Sequence, residues 1–144
     1  MRLFKQFCSK KIKILLCLVF LTVSTNATTL KDSVWNLIKH SDIRFKKVVL
    51  GQAILESGHF HSKFYKKTNN LFGMRFPKNR HTLAIGKNKK GYAIYKNWED
   101  SIKDFSIFQK NLKSRNQKEY FIYLEKDYAF LGYDKELKEV IRKI

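Results

Sequence analysis

Residues 48–55, VVLGQAIL, are apolar nearly all the way round except for Gln52. A surface helix carries one apolar stripe, so a helix without a polar face has to be wrapped by the rest of its domain. The segment SDIRFKKVVLGQAILESG therefore predicts a central, buried helix. Ser41 or Asp42 can cap its start, and Gly58 can end it. A chain of 144 residues, 44% hydrophobic and 15% aromatic, has enough apolar material to build one core round such a rod.

The remaining segments supply the wrapping. LKDSVWNLIKHS predicts a short first helix with Trp35 and Ile38 on its apolar side. HFHSKFYKKTNNLFGMRFPKNR is irregular by composition; Asn69, Asn70 and Gly73 tolerate left-handed backbone, so a turn is expected there. HTLAIGKNKKGYAIYKN predicts two short strands, 81–86 and 91–96, joined by a loop rich in Gly, Asn and Lys. NWEDSIKDFSIFQKNL places Trp98, Ile102, Phe105, Phe108 and Leu112 at helical spacing. Asn97 is its natural N-cap, with Glu99 and Asp100 at the positive end of the dipole. Two more helices, about 116–125 and 134–143, carry Tyr120, Tyr123, Leu124, Leu137, Val140 and Ile141. No internal repeat or low-complexity linker divides the chain. The expected class is mainly α (α+β): a helical domain interrupted by one small hairpin.

Charge and the N-terminus narrow the partner. The formal charge is +18, which calls for an anionic partner: nucleic acid, a membrane surface or an envelope polymer. MRLFKQFCSKKIK is basic, ILLCLVFLTV is a short apolar core, and STNATT offers Thr25 and Ala27 to a signal peptidase. Residues 1–27 are expected to be a signal peptide and residues 28–144 the working domain. An uncleaved signal-anchor would be the protein's only tie to a membrane. A lipoprotein anchor at Cys17 is disfavoured because Leu16 is large. Cleavage after Ala27 removes Arg2, Lys5, Lys10, Lys11 and Lys13 and no acid, so the charge falls from +18 to +13. Both cysteines, Cys8 and Cys17, leave as well, so the domain is expected to rest on its core without disulfides. Export, to the periplasm or envelope or beyond, opposes a nucleic-acid partner. The solvated-surface reading of KNKK and KSRNQK stands beside contact with wall polymers.

Glu56 is the one acid of GQAILESGHFHSKFYKKTNNLFGMR. It falls in the last turn of the buried helix, where the dipole end is negative and apolar neighbours penalise charge. Both effects raise a carboxyl pKa, and a carboxyl that keeps its proton near neutrality can act as a general acid. An ordinary exposed glutamate at a frayed helix end is the alternative.

QAILESG, then NNLFGMR, GYAIYKNWEDSIKDF and DYAF resemble, in that order, the glucosaminidase family of peptidoglycan hydrolases, glycoside hydrolase family 73. That family includes flagellar-rod-type and autolysin glucosaminidase domains. The resemblance runs from about Trp35 to Ile144. It implies a lysozyme-like helical lobe with a small β-hairpin lobe, and an endo-β-N-acetylglucosaminidase that cuts glycan strands after N-acetylglucosamine. It implies Glu56 as general acid and Tyr128 as a further catalytic-site residue. Asn69, Asn70, Phe72 and Gly73 would form the cleft motif, with Tyr92 of GYAIYKN on the substrate side. Each has a plainer role available: turn chemistry for the asparagines, core packing for Phe72, an aromatic anchor for Tyr128.

One departure stands out. Several members carry a second glutamate in the hairpin, but this chain has no Asp or Glu between Glu56 and Glu99. Glycosidases of the two-carboxylate kind need a base or nucleophile as well as an acid. Three routes are compatible with a single acid. The substrate's 2-acetamido oxygen can attack the anomeric carbon, with Asn70 and Tyr128 holding it. Polar groups such as Thr82 or Tyr128 can position a water. A lytic transglycosylase on the same scaffold can use the sugar's own 6-hydroxyl. The first is preferred; a non-catalytic glycan-binding protein is the rival outside enzymology. No cofactor or metal is expected, since HFH lacks a spaced partner set for His40, His59, His61 and His81. The expected partner is peptidoglycan glycan, bound by a monomer.

Overall fold

The computed structural model describes residues 28–128 and 132–144. The signal expected at 1–27 lies outside the described residues, as do Ala129 and Phe130 of DYAF. Among the described residues there are six α-helices: α1 Leu30–Lys39, α2 Lys46–Glu56, α3 Lys63–Thr68, α4 Trp98–Lys110, α5 Gln117–Tyr123 and α6 Tyr133–Arg142. A π-helical turn, Leu124–Tyr128, follows α5, and two strands, β1 Gly86–Lys87 and β2 Ala93–Ile94, lie between α3 and α4. The class is the expected one, mainly α with a small hairpin lobe.

The apolar run fills the centre as its composition demands: residues Val48 to Ile54 of α2 are all buried. Gly51 lets α6 lie directly on the α2 backbone. A Cβ there would stand 2.9 Å from both Leu137 Cδ1 and Ile141 Cγ1. From α1 come Val34 and Ile38, with Trp35 only half-buried at the edge of the core. Thr29 and Asp32 close a reciprocal capping box at the start of α1.

Helix α2 starts later than predicted. Ser41 does not cap it. Its hydroxyl donates to the Ile38 carbonyl at 2.8 Å and accepts the Ile43 N–H at 3.3 Å, finishing α1 instead. Phe45 stands at the N-cap in left-handed backbone, φ 54°, without a side-chain cap. Arg44 anchors this junction. Its N–H donates to Gln109 Oε1 at 2.6 Å, and its guanidinium donates to the carbonyls of Gln109, Leu112 and Ser114. A cation thereby satisfies the negative end of α4.

The stretch read as irregular contains α3, whose first turn is capped by Ser62 accepting the Tyr65 N–H at 3.1 Å. The strands are much shorter than 81–86 and 91–96. Gly86 pairs with Ile94 and Lys87 with Ala93, antiparallel, with an isolated Arg75–Tyr92 bridge beside them. Residues before β1 leave the ladder because they are drawn to α4. Arg80 makes a bidentate ion pair with the fully buried Asp104, at 2.8 and 2.9 Å. The Leu83 N–H and the Tyr95 hydroxyl donate to the same carboxylate, at 3.2 and 2.7 Å. Burial pushes the Asp104 pKa up, but Arg80, Tyr95 and the Leu83 N–H together hold it below the usual carboxylate value.

Helix α4 begins as predicted, with Asn97 Oδ1 accepting the Asp100 N–H at 2.8 Å. Helix α5 ends before the predicted position 125, giving way to the wider π turn.

Candidate active site

Glu56 is the last residue of α2, and the chain reverses immediately after it. Gly58, His59 and Phe60 all take left-handed backbone (φ 57°, 55° and 66°), and the His59 N–H reaches back to the Ile54 carbonyl at 2.7 Å. This reversal leaves the carboxyl at the end of the rod, half-buried, on a cleft of about 770 Å³. Phe72, Gly73 and Tyr128 line the cleft with it. Arg75, Lys90 and Tyr92 line it from the hairpin side; Phe108, Tyr123 and Asp127 line it from the helical side.

The surroundings favour the protonated form of Glu56. Burial raises its pKa above the usual glutamate value; a hydrogen bond from Tyr133 is the smaller influence and lowers it. The negative end of the α2 dipole acts in the same direction as burial. Tyr133 is itself buried, and its hydroxyl also faces Gln52, whose Oε1 accepts the Tyr120 hydroxyl at 2.7 Å. Gln52 lies one turn before Glu56, so the acid is backed by a buried polar chain rather than by hydrocarbon alone.

Gly73 fits against the carboxyl. It sits at φ 61°, and a Cβ built on it would be 2.9 Å from Glu56 Oε2. Of NNLFG, then, the glycine makes the close approach to the acid. Phe72 is fully buried and stacks on Phe105 at 4.1 Å, so it packs beneath the cleft. Asn69 is left-handed, φ 52°, and its amide donates to the Tyr95 and Lys96 carbonyls. Asn70 has no exposed surface. Its amide nitrogen donates to the Met74 and Ala93 carbonyls at 2.9 and 3.0 Å, and its oxygen accepts the Met74 N–H at 3.0 Å.

Tyr128 donates its hydroxyl to the Phe72 carbonyl, bracing the cleft motif from the opposite element. Burial first, then the Glu56 charge, push its phenol well above the usual tyrosine value. Thr82 is outside the cleft lining; its hydroxyl accepts the Ala84 N–H at 3.1 Å. Tyr92 is in the lining, edge-on to Phe64 at 5.2 Å, with the Arg75 guanidinium 4.5 Å above its ring. Among the described residues no group of three His, Cys, Asp or Glu comes together as a metal site.

Gln52, Arg75, Asp127 and Tyr133 are among the residues in or behind the site that were not picked out from sequence. Gln52 had a signal, being the one polar residue in an apolar run. Tyr133 had none that separates it from a core aromatic.

The chain matches the glucosaminidase family, described as mannosyl-glycoprotein endo-beta-N-acetylglucosaminidase, over residues 31–144. Protein bax of Escherichia coli (strain K12) is 41% identical over 69 residues, which are 47% of this chain and 25% of that protein. This chain therefore spans only a quarter of that relative's length in the match. Two solved structures are similar in fold at 20% sequence identity. One is a type VI secretion system effector–immunity complex from Pseudomonas protegens, with TM-score 0.58, covering 78% of this chain and 83% of that one. The other is the catalytic domain of the autolysin Auto from Listeria monocytogenes, with TM-score 0.50 and 78% of each chain covered. With a match over nearly the whole described region and the lysozyme-like arrangement of helical lobe and hairpin, the chain belongs to the glucosaminidase family of glycosidases.

Proposed function

We propose that this protein is a peptidoglycan endo-β-N-acetylglucosaminidase of the cell envelope, with Glu56 as its general acid. The observation that carries the reading is the placement of Glu56: a carboxyl at the end of the buried helix, on an open cleft, with Gly73 leaving no room for a side chain beside it and burial raising its pKa. Such a group gives its proton to the glycosidic oxygen as the bond to the anomeric carbon breaks. Tyr92 offers a sugar-facing ring on the hairpin side, and Arg75 and Lys90 give that side positive charge suited to an anionic wall glycan. The likeness to an autolysin's catalytic domain is in keeping with such a substrate. Tyr128, with its hydroxyl engaged by Phe72, acts as a strut for the motif beside the acid.

The test is digestion of purified sacculi with the protein and with Glu56→Gln, followed by mass spectrometry of the fragments. Reducing N-acetylglucosamine ends, lost in Glu56→Gln, are expected. Anhydro-muramic ends would make the protein a lytic transglycosylase. Binding without release by the wild type would make it a glycan-binding protein.

A further inference from the structure

The hairpin carries no acid, yet the cleft does hold a second one. Among the described residues lining it, Glu56 and Asp127 are the only carboxylic acids. We propose that Asp127 is the base of the reaction, taking a proton from the water that attacks the anomeric carbon. This rests on the reading of Glu56 as general acid.

Three observations converge on Asp127. The first is its setting in the π turn Leu124–Tyr128, which places both Asp127 and Tyr128 on the cleft. Such wide turns recur where a helix must re-aim side chains at a functional site. Tyr128 is fixed to the Phe72 carbonyl, and the next residue, Gly73, leaves no room for a Cβ beside Glu56, so the turn that carries Asp127 is tied to the loop that packs beside the acid. The second is that no hydrogen bond or ion pair holds it among the described residues. Asp32, Asp42, Asp100, Asp104 and Asp134 each hold a hydrogen bond or ion pair. In a chain with 30 Lys and Arg, Asp127 alone of the aspartates is claimed by none among the described residues. The third is contrast of environment. Glu56 is half-buried; Asp127 is exposed, where water has access. One carboxyl shielded and one solvated is the pairing that divides acid from base.

The chemistry then balances without help from the acetamido group. The Glu56 proton goes to the glycosidic oxygen, and the carbon–oxygen bond breaks with its electron pair staying on that oxygen. Water oxygen bonds to the anomeric carbon from the other face, and its proton goes to Asp127. The product forms with inverted configuration, and both carboxyls return to their starting states by exchange with solvent.

Kinetics on soluble glycan oligomers prepared from peptidoglycan test this with the full chain, Asp127→Asn, Asp127→Ala and Glu56→Gln. Glu125→Gln, exposed and outside the cleft lining, is the control. Asp127→Asn should lose at least about 100-fold in kcat with KM nearly unchanged. Azide, which needs no base, should restore turnover to Asp127→Ala as an α-glycosyl azide, and NMR should show the wild type forming the α anomer first. Asp127→Asn within about threefold of the wild type in kcat, or a change in KM alone, would overturn the proposal. So would a β anomer formed first. A wild type that releases nothing would overturn the underlying hydrolase reading as well, so the two failures are distinct.

Discussion

Gly73→Ala separates the geometry of the acid from the stability of the fold. At φ 61° an L-residue pays the left-handed penalty, about 1–2 kcal/mol. For a domain of this size that lowers Tm by about 4–8 °C. The added methyl also meets Glu56 Oε2 at 2.9 Å, closer than real Cβ contacts, so one of the two must move. The carboxyl is the flexible end of its side chain and gives way first. Its displacement costs little stability but misaligns the proton it delivers, and misplacement of a reacting group by an ångström costs on the order of 100-fold in rate. Two assays read the two effects: chemical denaturation for stability, and release of reducing ends from peptidoglycan for turnover. The expected result is a modest stability loss with a disproportionate fall in kcat. Wild-type turnover in a variant destabilised as expected would refute the packing of Glu56 on Gly73. Wild-type stability would refute the left-handed backbone.

Tyr133→Phe removes the hydrogen bond that lowers the Glu56 pKa, so the alkaline limb of the pH–rate profile should move to higher pH. A profile that stays in place would show that the hydroxyl does not act on the acid. Arg80→Ala leaves the Asp104 charge buried without its cation and should cost about 3–5 kcal/mol, read by denaturation near neutral pH. The native Asp104 pKa is depressed, so its contribution is full above the ordinary carboxylate value and is lost as pH falls through the folded value. In Arg80→Ala the stability lost on acidification between those two values should therefore be smaller than in the wild type, and an unchanged loss would count against the pair.

Segments governed by local rules were readable from sequence. Asn97 capping α4 and the run Val48–Ile54 filling the core needed only short-range chemistry and one hydrophobicity argument. Where tertiary partners decide, the sequence was mute. Ser41 is a good cap by type, but it was used to close α1, and Arg44 held the α2 junction from the far side of the domain. Helix α3 is too short for periodicity to register, and the hairpin lost its outer rungs because Arg80 and Leu83 follow Asp104. At the site, Glu56, Gly73, Tyr92 and Tyr128 do meet on one cleft, as the motif order suggested. Asn70 reads as a polar cleft residue, yet its amide is consumed by two carbonyls and an N–H. Asp127 gave no signal in the sequence, since only the π turn after α5 brings it to the cleft.

The two asparagines of NNLFG also bear on how the small lobe opens. With two-residue strands, the lobe has almost no ladder of its own. Its amides are instead tied inward: Met74 to the Asn70 side chain, Ala93 to the Met74 carbonyl, Tyr95 to the Thr68 carbonyl. Met74, Ala93 and Tyr95 are themselves buried, so a lobe braced this way is expected to open only together with the core beneath it. Hydrogen exchange at Met74, Ala93 and Tyr95 should thus keep pace with the helical core. The groove is then set before a ligand arrives, and little ordering of its walls is left for binding to impose.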